Sequence, residues 1–153
     1  MAVFEFRFTV NAPVEVVSDF HFQPGILKTL TPPMMIMQVH LFEPLAEDSV
    51  AEFTMWMGPV PVRWKALHSA VSTTGFTDTQ VAGPMKRWVH THRFIAVDRV
   101  TTEVREHIEY EHHRGLKGLW SRMLFPGPGL WALFTIRKLI TRKHVRRMLS
   151  AMK

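Results

Sequence analysis

Histidines, carboxylates and aromatic side chains alternate through the segment Gly75 to Phe94, GFTDTQVAGPMKRWVHTHRF. These residue types act as general acids and bases, and they bind the polar groups of small molecules. The segment has the pattern of two strands around a turn, and alternate residues of a strand share a face. On that basis one face of each strand carries Phe76, Asp78, Gln80, Trp88, His90, His92 and Phe94.

The length of the turn decides whether these residues share a single face. A turn of odd length, such as Ala82-Gly83-Pro84, places both sets on one side of the sheet, whereas a two-residue turn separates them. We adopt the odd length. A face of aromatic and imidazole rings around a carboxylate and an amide then predicts a small-molecule pocket.

Two further strands add to this face when their more apolar register is chosen. Trp64, Ala66 and His68 face inward on one, and Glu106 and Tyr110 on the other. Bare burial of Asp78 or Glu106 would cost several kcal/mol. The cluster therefore predicts a wet or ligand-filled cavity, or a tight network of carboxylates and histidines.

The chemistry of this cluster has three interpretations. Asp78 and Glu106 beside His68 and His90 fit a general acid and base. The pair His90-x-His92 has a spacing that some metal sites on sheets use, but no third ligand stands at a diagnostic distance in the sequence. The remaining interpretation, which we adopt, is that the histidines bind the carboxylates and shape a cavity for a ligand. We expect no metal and no cofactor.

The rest of the chain predicts the elements that position these residues. Val3 to Val10 alternates as a half-buried strand, and two short helices follow, one ending near Phe22 and one over Ile26 to Leu30. Strands with short connections come next, so they form an antiparallel meander. The strands are Met35–Phe42, Ser49–Met57, Val60–Ser72, Phe76–Val81, Met85–Val97 and Val100–His112. A long helix runs from about Gly129 to Met152.

Composition agrees with one domain that spans residues 1–153. The chain is 46% hydrophobic and 21% charged, which is ordinary for a globular protein. It has no cysteine, so it can form neither a disulfide nor a thiolate metal site. The alternating N-terminus is a strand and not a signal peptide, and no segment is long and apolar enough to cross a bilayer. We expect a cytoplasmic protein.

The C-terminal part is basic and contains one unusually apolar segment. Residues 112–153 hold 10 Lys and Arg and no acidic residue. Within them, Leu116 to Phe134 could be a lid over the cavity, an interfacial segment anchored by Trp120 and Trp131, or a surface buried in the chain or in a homodimer. We expect burial or dimer contact, with anionic membrane as the alternative. No nucleic-acid motif accompanies the basic residues, so nucleic acid is not an expected partner.

The sequence also resembles a known family in four segments. These are NAPVEVVSDFHFQPGILKTLTPP, VRWKALH, FTDTQ and GPMKRWVHTHRF. They are similar to the ligand-binding SRPBCC group, whose superfamily also contains START-type lipid-transfer domains, the birch-pollen allergen family and polyketide cyclase/dehydratases.

The resemblance covers nearly the whole chain and implies an α+β helix-grip fold, a curved seven-stranded antiparallel sheet around a long C-terminal helix. Members range from carriers to enzymes, so no catalytic residue can be carried over. We expect a small hydrophobic or amphipathic ligand between sheet and helix. A cyclase or dehydratase that uses the Asp, Glu and His residues as general acid and base is the alternative.

Overall fold

The computed structural model describes residues 1–153 and contains seven strands and four helices. The first strand, β1 (Ala2–Val10), precedes two short helices, α1 (Val14–His21) and α2 (Ile26–Thr29). Six strands follow in succession: β2 (Met35–Phe42), β3 (Val50–Met57), β4 (Val60–Ser72), β5 (Gly75–Ala82), β6 (Arg87–Asp98) and β7 (Thr101–Glu111). The chain ends with α3 (Gly115–Leu124) and the long helix α4 (Gly127–Ala151).

The strands form one curved antiparallel sheet in the order β1-β7-β6-β5-β4-β3-β2. The meander from β2 to β7 follows from short connections, which leave each strand beside its predecessor. Strand β1 then pairs with β7, so that the first and last strands are neighbours. The predicted helix-grip arrangement of curved sheet, two short helices and long C-terminal helix is confirmed.

The register of the β5–β6 hairpin brings the polar and aromatic residues to one face. Phe76 pairs with His92 and Asp78 pairs with His90 across the ladder. Because even positions pair with even positions, the odd-length alternative is confirmed. The connection is longer than a three-residue turn, and the Gln80 side chain closes it by donating to the Met85 carbonyl at 2.8 Å and accepting from its N–H at 3.2 Å.

Gly75 allows β5 to lie close to β6 where the hairpin reaches the site. Its φ is +149°, and a Cβ at this position would lie 2.1 Å from the carbonyl oxygen of His92. Any other residue would clash with the backbone here, and few adopt this φ without strain. The glycine therefore sets the position of the backbone that carries Phe76 and His92.

Helix α4 lies across the sheet and contacts β1 and α1. Its buried residues are Leu130, Phe134, Thr141 and Val145, and the Phe134 ring lies 5.3 Å from that of Phe4 on β1. These side chains recur at helical spacing, so one stripe of the helix faces the sheet. The stripe closes the core on one side and leaves room at its N-terminal end.

Helix α3 was not predicted from the sequence, which indicated only an unusually apolar segment before the long C-terminal helix. Gly115 and Gly118 weaken the helical pattern, and no side chain caps the helix at its start. Gly118 and Ser121 are its buried residues, and Ser121 lies 2.8 Å from His112 at the end of β7. Small residues on one face thus hold α3 against the sheet.

Burial of residues 116–134 within the chain, one half of the expectation of burial or dimer contact, is wrong for several large apolar members, and dimer contact stays a prediction. Leu116 is 86% exposed, and Leu119, Trp120, Met123 and Trp131 are also exposed. Phe125, Leu130 and Phe134 of the same segment are buried. No helix of the structure is long and apolar enough to span a membrane.

Candidate functional site

A cavity of about 130 Å³ lies between the sheet and helix α4. Seventeen of the twenty-three residues that line it are hydrophobic, so its walls suit an apolar molecule. Its polar lining comes from His21, His68, Asp78, His90, His92 and Arg137. Such a mixture of apolar walls and a few convergent polar groups is typical of ligand sites.

Seven of the eleven residues predicted for the site line this cavity. They are Trp64, His68, Phe76, Asp78, Trp88, His90 and His92. Trp64 and Trp88 meet edge to face with ring centroids 5.4 Å apart, and Phe76 stacks on His92 at 4.2 Å. Contact of these residues with a ligand remains a prediction.

The other four predicted residues lie next to the cavity without lining it. Gln80 binds Met85 in the turn, as described above. Phe94 is buried beneath the His21 ring, whose centroid lies 4.5 Å away. Glu106 lies behind the histidines, and Tyr110 packs on Trp88 at 6.0 Å. Glu106 therefore acts on the cavity through His90 and His92.

The two histidines lie between the two carboxylates. His90 donates from Nε2 to Oε2 of Glu106 at 2.8 Å, and His92 donates from Nε2 to Oδ2 of Asp78 at 3.0 Å. His92 Nδ1 also lies 2.8 Å from Glu106 Oε2, but its N–H is not aligned for a hydrogen bond. We therefore describe that contact as an ion pair. Each buried carboxylate has an imidazole partner, which offsets the cost of its burial.

The network holds its charges in one arrangement. Burial acts to lower the pKa of His92, but Glu106 and Asp78 outweigh it and raise that pKa to about 9. Burial, together with the nearby His92, lowers the pKa of His90. Burial also acts to raise the pKa values of Asp78 and Glu106, but the histidines outweigh it and lower both. At neutral pH the pair of imidazoles therefore carries one positive charge, on the doubly protonated His92, between two ionised carboxylates.

Two further histidines are fixed by the backbone and by a hydroxyl. Burial lowers the pKa of His21 to about 4, so this imidazole is neutral, and it donates from Nδ1 to the Val17 carbonyl at 2.8 Å. Burial likewise lowers the pKa of His68, whose Nδ1 lies 3.0 Å from the Ser49 hydroxyl. Both rings present neutral surfaces to the cavity.

The sequence interpretation missed the residues that the helices and β2–β3 contribute. Among these, Arg137 on α4 is the one lysine or arginine of the cavity wall. The sequence carried a signal for it, because positions 130, 134, 137, 141 and 145 repeat at helical spacing and the other four are buried. Met37 and Met55 also line the cavity.

A second cavity of about 130 Å³ adjoins the first. The two share six wall residues, which are Met37, Met55, Phe125, Leu130, Leu133 and Arg137. Two of the six are methionines, whose flexible side chains adapt easily to a bound molecule. Movement of a few side chains would therefore join the two spaces.

Asp78, His90 and His92 are also the residues that could hold a metal ion. One donor atom from each lies within 4.8 Å of the others, and nitrogen and carboxylate donors suit a zinc ion. The same atoms already make the hydrogen bonds and ion pairs of the network. A metal would have to displace the proton of His92 and replace these contacts.

Fold and site together define a helix-grip protein with an apolar cavity over a buried charge network. Comparison with solved structures gives the same fold. Protein CV1439 from Chromobacterium violaceum has a TM-score of 0.75 at 11% identity, over 95% of this chain and 98% of that one. No family model and no curated protein matches the sequence.

Two further neighbours are enzymes by name. Norcoclaurine synthase from Thalictrum flavum, in complex with dopamine and hydroxybenzaldehyde, has a TM-score of 0.66 at 16% identity, over 91% of this chain and 86% of that one. The Zhui aromatase/cyclase from Streptomyces sp. R1128 has a TM-score of 0.67 at 14% identity, over 94% and 90%. At these identities the neighbours show a shared fold, which is the helix-grip fold that the sequence resemblance implied.

Proposed function

We propose that this protein binds a small amphipathic molecule containing a ring in the cavity between the sheet and α4. The observation that carries the proposal is the space of about 130 Å³ with predominantly hydrophobic walls and a charged floor. In another protein, an apolar cavity of about 150 Å³ holds benzene, so this space suits one ring, and a fused second ring would extend into the adjoining space of about 130 Å³. Aromatic walls from Trp64, Phe76 and Trp88 favour a flat molecule.

An empty cavity of this size would be costly. Core cavities destabilise proteins by about 24 cal/mol per Å³, so about 130 Å³ corresponds to roughly 3 kcal/mol. A ligand that fills the space recovers this free energy and stabilises the fold. The polar groups at the wall would then fix its orientation.

Native mass spectrometry of freshly purified protein tests binding and does not require a chosen ligand. The expected result is an excess mass of an organic molecule that disappears in the denatured spectrum. The control is Trp131→Ala, which removes an exposed ring outside the cavity and should retain the excess mass. An excess mass that survives in a cavity-filled Ala66→Leu variant would contradict the proposed location.

General acid–base catalysis on the bound molecule is the second candidate function. Pairs of groups whose pKa values are pushed apart are typical of acid and base partners, and His90 and His92 are such a pair. His90 donates from Nε2 to an ionised carboxylate, so its Nδ1 carries the lone pair of a base. His92 carries the proton of an acid.

Proton exchange in deuterated water tests this second candidate. With 2-tetralone as probe, an active site would accelerate exchange of the protons beside the carbonyl group, followed by NMR. Asp78→Asn should abolish the acceleration while binding persists, because the amide no longer holds the His92 proton. Unchanged exchange in Asp78→Asn would remove Asp78 from the mechanism.

We also propose that the exposed face of α3 contacts an anionic membrane. Leu116, Leu119, Trp120 and Met123 share one face of the helix at i, i+3, i+4 and i+7, and all are exposed. The surrounding segment, residues 112–153, holds ten basic residues and no acidic one. A second copy of the chain would bring like charges together, whereas anionic lipid attracts them.

Vesicle flotation tests this surface. The protein should float with vesicles that contain phosphatidylserine at low salt, and less at high salt, but not with pure phosphatidylcholine vesicles. Leu119→Glu should abolish flotation, while the same change at exposed Ile36 on β2 should not. Absence of binding at low salt, or a dimer in sedimentation that Leu119→Glu dissociates, would contradict the proposal.

A further inference from the structure

Arg137 stands at the junction of the two cavities. It lines both of them, and it is the one lysine or arginine in either wall. It stands at helical spacing from the buried residues Leu130, Phe134 and Thr141 of α4, and it is itself half-buried. In the second cavity it is also the one charged residue, among apolar side chains and a threonine.

The guanidinium of Arg137 has no acidic partner within ion-pair distance. None of the eleven ion pairs of the protein, from Arg7–Glu5 to His107–Glu109, includes it. Its Nε is buried without a hydrogen-bond acceptor. The face of the Phe134 ring lies 5.3 Å from the guanidinium carbon and offsets part of its charge. A half-buried guanidinium that lines two cavities and has an unpaired donor is prepared to bind an acceptor.

We infer that Arg137 forms an anion subsite and that the ligand is a ring-bearing carboxylate. The inference rests on the proposed function and specifies the class of its ligand. The planar guanidinium fork matches the two oxygens of a carboxylate, which a lysine would bind as a point charge. The ring would occupy the first cavity, and its carboxylate would lie at the junction, where Arg137 and the apolar wall meet.

The charges around the first cavity allow one anion to bind near Arg137. Asp78 and Glu106 are ionised and would repel a carboxylate, but both lie against the histidines, where the His92 proton offsets part of their charge. Arg137 feels the attraction of these two carboxylates at long range and contacts neither of them. The competing interpretation is that this long-range balance of charge is the whole role of Arg137.

Matched acids and amides separate the two interpretations. The probes are benzoate against benzamide and 2-naphthoate against 2-naphthamide, pairs that differ in charge and hardly in shape. Calorimetry or NMR titration at neutral pH should show the acid binding at least about tenfold more tightly than the amide. Arg137→Met should abolish that preference and still bind the amide, and Arg137→Lys should retain part of it.

Lys138→Met is the matched control, because the same change removes the neighbouring cation of α4. Lys138 lies outside both cavities, with its Nζ 6.0 Å from the Phe6 ring centroid, so its loss should leave the preference for the acid unchanged.

Equal affinity for acid and amide in the wild type would overturn the anion subsite and leave the proposed function standing. This comparison needs no variant, so poor folding of Arg137→Met would not obscure it. If neither acid nor amide binds, both proposals fail.

Discussion

The imidazole rings of His90 and His92 lie with their centroids 3.9 Å apart, and each ring has a nitrogen 2.8 Å from the same oxygen, Oε2 of Glu106. Two imidazolium ions this close would repel each other strongly, so the pair holds a single positive charge at neutral pH. His92 carries it because both Glu106 and Asp78 raise the pKa of that imidazole. The floor of the cavity is therefore charged and ordered before any ligand enters.

The proton on His92 makes stability depend on alkaline pH. The pKa of this group is 6.5 in an unstructured chain and about 9 in the fold, so the folded state binds the proton more tightly. The stabilisation is complete below pH 6.5 and is lost as the pH rises from 6.5 to 9, by on the order of 2 kcal/mol. Urea unfolding between these pH values should show this loss in the wild type and a flatter profile in His92→Gln. The exposed His107, changed to Gln, is the control and should keep the wild-type profile. A wild-type free energy of unfolding that rises between pH 6.5 and 9 would contradict the raised pKa of His92.

Filling the cavity should block binding without harming the fold. Ala66 on β4 is buried and lines the space, so Ala66→Leu adds three carbon atoms to a cavity of about 130 Å³. Affinity for 2-naphthamide, measured by quenching of tryptophan fluorescence, should fall at least about tenfold, while the melting temperature stays the same or rises. Ala132→Leu, on an exposed position of α4, should change neither quantity. If Ala66→Leu bound 2-naphthamide with unchanged affinity, the probe would have to bind outside this cavity.

Gly75→Ala should destabilise the hairpin that carries the site. Its new methyl group would lie 2.1 Å from the His92 carbonyl oxygen at a φ of +149°. We expect a loss of about 2–4 kcal/mol in the free energy of unfolding, from backbone strain and overpacking together. Gly127→Ala is the control, since nothing lies within 4 Å of the added atom, and it should change stability by less than about 0.5 kcal/mol. A loss of less than about 0.5 kcal/mol in Gly75→Ala would show that β5 can shift against β6 without strain.

Zinc should not stabilise the protein at neutral pH. The candidate ligands Asp78, His90 and His92 are held in hydrogen bonds and ion pairs, and His92 retains its proton until about pH 9. A metal competes with that proton, so its binding should strengthen only as the pH approaches 9. Thermal melts with and without zinc at pH 7 measure this. A zinc-dependent rise in melting temperature that His90→Leu removes would establish the metal interpretation instead.

The strands and their inward face could be predicted because a strand offers only two choices of face. Once the parity of the β5–β6 turn is fixed, Phe76, Asp78, His90 and His92 must share a side. Trp64 and His68 follow from the same alternation on the neighbouring strand. Aromatic and histidine content then identified the unusual face.

The contributions of the helices could not be predicted in the same way. Which side of α4 covers the sheet, and how far along it the cavity extends, depend on packing between elements distant in sequence. Arg137 was therefore missed even though its spacing matches the buried stripe. Gln80 shows the opposite failure, because its strand position suited the cavity but its side chain turns back to bind Met85. Alternation assigns a face and does not determine where a long side chain ends.

Methyl NMR with a ring probe tests the central claim, a ligand cavity between sheet and α4, most directly. On titration with 2-naphthamide, the methyl signals of Met37 and Met55, which line the cavity, should shift together. Those of Met34 and Met123, which are exposed on other surfaces, should not move. Shifts confined to Met123 and its neighbours on α3, or no shift up to the solubility limit of the probe, would contradict the cavity as the binding site.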